Sequence, residues 1–280
     1  MGRAWRNPRI TLSAGFILLV AAAGALAGVV APHPPLEMHP SDRLQAPSSR
    51  YPFGTDEFGR DVLSRLLHGT RISLLVAFVA VSLAAVNGTV IGVLAAYYRG
   101  WVEMVLMRTV EVILSFPPVL LAIAVIAFLG ASTRNVTLTI AVLYTPLFAR
   151  IAYGSSLRVR EMEFVEAARA MGAGDPRIIG RTLLPNILAP LMVQFSLSLG
   201  FAILLESGLS FLGMGPPPPA PSWGRMVSSG RHFMEISPSL VVFPSLVILG
   251  TVLSFNLLGD GLRDHLDPRL RVGGGRRESV

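Results

Sequence analysis

The 280-residue sequence has no cysteine and no lysine. Without cysteine, disulfides and thiolate metal sites are excluded. Without lysine there is no Gly-Lys-Ser/Thr phosphate loop, so the chain lacks that route to binding and hydrolysing ATP. Charge is scarce as well. Charged residues make up 15% of the chain and hydrophobic ones 52%, too apolar for most soluble domains of this length. The basic residues, all arginine, number 24 and give a net charge of +7. Such an excess can point to nucleic acid, but here the arginines flank apolar runs, which is a pattern of membrane topology. No His-Glu-x-x-His is present, and His33, His39, His68, His232 and His265 are scattered through polar segments, so no metal site is expected. Gly208-Leu209-Ser210 lacks the small residue that would complete a nucleophile elbow, and no catalytic residue is assigned.

What the chain does have is six apolar runs, at about 10–30, 72–98, 112–129, 136–153, 187–205 and 240–258. Each is about long enough to cross a bilayer as a helix. The expected fold class is therefore an all-α membrane protein with six transmembrane helices. The first run has a second reading as a secretory signal peptide, because Ala25-Leu26-Ala27 mimics a cleavage site. Signal peptides have shorter apolar cores of roughly 7–15 residues, which favours a retained span. Six spans put both termini on one side. The arginines then concentrate on the side of the termini, which makes that side the cytoplasm.

Several local signals lie between the runs. Gly88 and Gly92 have GxxxG spacing, which lets a neighbouring helix come close. Tyr97, Tyr98 and Trp101 suit an interface belt. Pro117-Pro118 should kink or delay the third span, and Pro146 and Pro244 lie inside the fourth and sixth. Pro216–Pro219 and Pro221 predict a stiff extended segment. In the long loop after the first span, Asp56 is placed to cap a separate amphipathic helix with an apolar stripe of Phe58, Val62, Leu63, Leu66 and Leu67, and Asp61 with Arg65 forms an i,i+4 pair. Glu206, near the end of the fifth span, has two readings. It faces the bundle interior or a water-filled path, or it only reaches the interface. Ser198 and Asn256 join it as candidate residues of a translocation path.

The stretch 161–190, EMEFVEAARAMGAGDPRIIGRTLLPNILAP, is polar where a short turn would suffice. Phe164, Val165, Ala168 and Met171 lie at helical spacing and should share one face. Gly172, Gly174 and Asp175-Pro176 should break that helix. A second short helix is expected from Pro176 to about Leu184, since proline suits a first helical position. Ala167, Ala168 and Ala170 offer a small-residue face on which another backbone can settle.

Glu166-Ala167-Ala168, then Gly172, then Leu184-Pro185 resemble the EAA loop of ATP-binding-cassette importer permeases. Thr182 stands where that pattern has isoleucine. Phe53-Gly54-Thr55-Asp56 with Gly59-Arg60-Asp61 resembles the dipeptide and oligopeptide branch of the family. LLESGLSFLGMGPPPPAPSWGRM and NLLGDGLRDHLDPRLR look like the outer segment and tail of dipeptide/oligopeptide/nickel-type subunits. The likeness covers nearly all of the chain after about residue 50.

The resemblance implies a type I importer permease fold in a bacterial inner membrane. It implies a second related permease subunit, one or two cytoplasmic ATPases and an external solute-binding protein. ATP and Mg belong to those partners, with no cofactor bound by this chain. Glu166, Ala167, Ala168, Gly172, Leu184 and Pro185 carry over as the ATPase-coupling residues. The expected organisation is 1–71 for the tip, first span and long external loop, 72–259 for a five-helix core holding the loop at 161–185, and 260–280 for a tail. Cargo stays open between peptides and nickel or another small solute. A stand-alone channel would need no docking loop, and a membrane enzyme would need a catalytic constellation that is not found.

Overall fold

The computed structural model describes residues 8–266. Among these there is no β-strand, only an isolated bridge between Thr55 and Asp61. The helices run in order as α1 (Pro8–Ala25), a one-turn α2 (Ala27–Val30), α3 (Val62–Tyr98), α4 (Gly100–Leu114), α5 (Pro118–Leu129), α6 (Thr133–Arg160), α7 (Glu163–Ala170), α8 (Asp175–Arg177), α9 (Leu184–Phe211), α10 (Trp223–Gly230) and α11 (Ser239–Leu266). Five stretches are long and apolar enough to cross a membrane: α1, α3, α6, the run Asp175–Phe211 and α11. A sixth span exists if α4 and α5, bent by 91° at their junction, count as one.

α3 and α6 form the centre. A Cβ on Gly88 would lie 2.4 Å from the Thr145 carbonyl oxygen, and one on Gly92 would lie 2.3 Å from that of Ala149. The GxxxG expectation is met within the chain itself, with backbone against backbone. α9 packs on α11 by the same device, since a Cβ on Gly200 would sit 3.2 Å from the Val252 carbonyl oxygen. Outward rows such as Leu12, Leu18 and Leu19 on α1 and Leu246, Leu249 and Leu253 on α11 are exposed. In lipid such rows need no cover, because hydrocarbon tails are as apolar as leucine.

Helix boundaries differ from the sequence expectations in consistent ways. The separate outer helix capped by Asp56 does not form. Asp61 is the N-cap, its Oδ2 accepting from the Ser64 amide at 2.9 Å, and the helix runs on without a break through residues 71 and 72 as α3. At 37 residues α3 is about 55 Å long. That exceeds a hydrocarbon core of roughly 30 Å, so its first turns project beyond it. The expected third span is split. α4 already occupies Gly100–Leu114, and α5 starts only at Pro118. Two adjacent prolines lack amide donors and force extended backbone before them, which makes the bend. The short helix expected to stop before Pro185 instead continues through a π-helical turn, Ile178–Leu183, into α9. Pro185 follows that π-helical turn, and the run stays helical through it. α11 carries the sixth span through Gly259 and Gly261 into what was read as polar tail. The proline run after α9 turns rather than extends, with a cis bond between Pro218 and Pro219. Arg3, Arg6 and the arginines from Arg269 onward lie outside the described residues.

The segment between α2 and α3 is a compact cap. Gly54 and Gly59 have φ of +81° and +73°, and a Cβ on Gly59 would fall 1.8 Å from the His39 carbonyl oxygen. Asp56 organises the turn between them. Its Oδ1 accepts from the amides of Phe58 and Arg60, and its Oδ2 meets Arg60 Nε at 2.6 Å and Arg65 Nε at 3.4 Å. All three charged side chains are buried. The expected Asp61–Arg65 pair is thus replaced by Asp56–Arg65, because capping α3 commits Asp61 to Ser64. Phe53 stacks on Phe243 of α11 at 3.9 Å, which seats the cap on the bundle.

Candidate functional site

The 161–185 loop is a helical hairpin laid across the ends of α3, α6 and α9. α7 ends in a Schellman turn. The Ala173 amide donates to the Ala168 carbonyl at 3.0 Å and the Gly172 amide to the Arg169 carbonyl at 2.9 Å. Gly172 takes φ +82°, which side-chain-bearing residues rarely adopt, and space around it is open. The expected turn at Gly172 is therefore present, and its need for glycine is conformational rather than steric.

Three buried apolar residues hold the hairpin down: Val165 from α7, and Ile178 and Leu183 from the π-helical turn. The expected shared face of Phe164, Val165, Ala168 and Met171 is only partly realised. Val165 is buried and Ala168 half-buried, while Phe164 and Met171 are exposed. Met171 is the C-cap residue, and the Gly172 turn throws it outward. Glu166, Ala167 and Ala170 face away from the bundle, so α7 presents the first two residues of the Glu-Ala-Ala tripeptide on a free surface, with Ala168 at its edge. Leu184 is half-buried against the core, Thr182 is half-buried, and Pro185 is exposed.

The hairpin is also fixed by polar contacts that the sequence did not suggest. Tyr97, near the end of α3, donates its hydroxyl to Asp175 Oδ1 at 2.7 Å. The Arg169 guanidinium of α7 lies 5.4 Å from the centre of the same ring. Arg160, the last residue of α6, donates to the Ala96 carbonyl at 3.2 Å. Tyr97 therefore does not join the interface belt. It is 7% exposed, against 51% for Tyr98 and 75% for Trp101. Three aromatics in five residues look alike in sequence, and only the neighbouring elements separate their roles.

The candidate path residues lie elsewhere. Ser198, fully buried, accepts from Gln194 Nε2 at 2.9 Å, and half-buried Asn256 of α11 lies across from Gly200 on α9. Glu206 has no exposed surface. It accepts from the Ser210 hydroxyl at 2.7 Å, with Ser73 of α3 and Ser207 beside it. Its other oxygen has no partner among the described residues. Of the two readings of Glu206, it takes the interior one. Ser198 and Asn256 share the α9–α11 contact, and Glu206 sits about two turns further along, toward α10. No three His, Asp or Glu side chains converge as a metal site among the described residues.

Residues 88–272, which hold the hairpin and the spans on both sides of it, match the family described as Binding-protein-dependent transport system inner membrane component. The chain belongs to that family. It is 46% identical to the Dipeptide transport system permease protein DppC of Alkalihalophilus pseudofirmus over 235 residues, 84% of this chain and 77% of the relative. It is 43% identical to the Glutathione transport system permease protein GsiD of Pectobacterium atrosepticum over 272 residues, 95% of this chain and 90% of the relative. In fold it is similar to the MetNI methionine ABC transporter in inward-facing form, with a TM-score of 0.59 at 21% identity over 71% of this chain and 95% of that one. A crystal structure of an amino acid ABC transporter gives a TM-score of 0.56 at 14% identity, over 72% of this chain and 94% of that one. As a binding-protein-dependent inner membrane component, the chain has the type I importer permease fold that the 161–185 motif led us to expect.

Proposed function

We propose that the chain is one half of a transmembrane pathway for peptides, driven by ATP hydrolysis on partner subunits. The observation that carries this is α7. An eight-residue helix bears Glu166, Ala167 and Ala170 outward, is anchored through Val165 with Ala168 half-buried, and is turned by Gly172. A small-residue surface of this kind suits insertion into a cleft on a nucleotide-binding partner. The peptide cargo is supported by the names of the dipeptide and glutathione relatives. The partners are a second related permease, one or two ATPases carrying ATP and Mg, and an external binding protein. Both termini lie in the cytoplasm with α7. Closing of the ATPases pulls on α7, and the spans rock so that a path near Ser198, Asn256 and Glu206 alternates between the two sides. Leu184 and Pro185 join the hairpin to α9 and pass the motion on.

The test is a pull-down from gently solubilised membranes, with wild type beside a Glu166→Ala, Gly172→Trp double variant. An ATPase should co-purify with the wild type and be lost or weakened in the variant. An ATPase retained equally by both would remove α7 from the docking surface. Absence of any ATPase from the wild type, under conditions that preserve membrane complexes, would remove the importer reading itself.

A further inference from the structure

We propose that Tyr97 is the positioning residue that locks the 161–185 hairpin to α3, so that the two move as one body when nucleotide acts on α7. The inference rests on α7 being the ATPase-docking helix.

The geometry is specific to this side chain. Gly172 divides the hairpin into two arms, and Tyr97 touches both. Arg169 of the first arm lies over its ring, and Asp175, the first residue of the second arm, accepts its hydroxyl proton. The other anchors, Val165, Ile178 and Leu183, are apolar. Apolar burial is non-directional, so those contacts resist separation but permit sliding. The 2.7 Å hydrogen bond is part-buried, joining the buried Tyr97 side chain to the exposed Asp175, and unlike the apolar contacts it fixes both distance and angle, and so sets register. Two residues further on, Arg99 and Gly100 take φ of +56° and +57° and reverse the chain into α4. Tyr153 of α6 in turn bonds Glu103 of α4. A displacement delivered at Tyr97 therefore reaches α3 directly, α4 through the Arg99–Gly100 turn, and α6 through Glu103 of α4.

The absence of cysteine allows the test to be made by spin labels at introduced cysteines. Met171→Cys on the hairpin and Val90→Cys on α3 are both exposed in this chain. The complex with its co-purified ATPases is measured in nanodiscs, without nucleotide and with ATP, Mg and vanadate. With Tyr97 intact, the label–label distance should be narrow and equal in the two states. In Tyr97→Phe, which keeps the ring but not the donor, the ATPases should remain bound with hydrolysis within twofold of wild type. The distance spread should then at least double when nucleotide is added. Asp175→Ala should do the same, the double variant should be no worse than either single one, and Asp175→Asn, which keeps an acceptor, should restore the narrow distance. A Tyr97→Phe complex that stays narrow in both states overturns the lock while leaving the docking reading intact. A wild-type distance that already changes with nucleotide overturns it too. A wild type that retains no ATPase overturns both.

Discussion

A Cβ placed on Gly92 would lie 2.3 Å from the carbonyl oxygen of Ala149 and 2.7 Å from the Ala152 Cβ. The first of those is backbone, which has no rotamer through which to give way. Gly92→Leu should therefore force α3 from α6, the central pair of the bundle. Overpacking typically costs about 1–3 kcal/mol, and a backbone obstacle places this change at the upper end or beyond. Gly154→Ala is the comparison, because nothing lies within 4 Å of its added Cβ. It should be neutral or raise stability by up to about 1 kcal/mol, as alanine does for glycine inside helices. Thermal melting of the two purified variants in mild detergent checks this, and equal melting points would discard the contact as a determinant.

Gly172 answers to a different constraint. Its surroundings are open, so size alone is harmless there, whereas φ +82° is costly for any residue with a Cβ. The penalty is roughly 1–2 kcal/mol, and asparagine tolerates the region better than β-branched residues do. The series Gly172→Asn, Gly172→Ala, Gly172→Val should weaken ATPase retention in that order. A ranking by side-chain volume instead would mean that the turn's conformation does not set the docking of α7.

Periodicity and composition made the spans legible, and the 161–185 motif marked the hairpin. Ends of helices were the weak point. α3 and α11 run past the charged residues taken as their limits, because helical hydrogen bonding does not stop where hydropathy falls. Asp56 reads as the N-cap before the apolar stripe and Asp61 as the partner of Arg65, and the fold gives the capping role to Asp61. Asp61 can cap since the backbone of Gly59 is pressed against His39, which ties Asp56 into the preceding turn. Tyr97 shows the other limit. Its partner Asp175 lies 78 residues away, and no local pattern joins them.

The cap itself gives a third expectation. Asp56 is the shared counter-charge for Arg60 and Arg65, with side chains only 7–8% exposed. Removing Asp56 leaves Arg65 without an ion pair among the described residues and Arg60 with Glu57 alone, at 3.7 Å. Breaking a buried pair typically costs about 3–5 kcal/mol. Asp56→Ala should therefore loosen residues 31–61 far more than Glu37→Ala, whose carboxylate is largely exposed beside His39. Protease sensitivity of that segment in right-side-out vesicles reads the difference. Equal cleavage of the two variants would show that the cap is held by its apolar contacts instead.

Acid should act on the same cap through Asp42. The Tyr51 hydroxyl donates to Asp42 Oδ2 at 2.8 Å, and that bond, aided by the charge of Arg50 at 3.3 Å, holds the carboxyl below its ordinary value. The folded chain thus takes up this proton less readily than the unfolded one. Its contribution is complete above the ordinary carboxylate pKa of about 4 and is lost as pH falls through the lowered value. On the alkaline side, burial and then the same bond raise the Tyr51 phenol above its usual range. That contribution persists below about pH 10 and disappears above it. Melting of the detergent-solubilised chain should therefore be flat in this respect near neutrality and fall more steeply below about pH 4 than melting of Asp42→Asn. Tyr51→Phe should flatten the same acid limb, because it removes the donor while leaving the carboxylate. If both variants follow the wild-type slope, the pair contributes nothing that pH can reach.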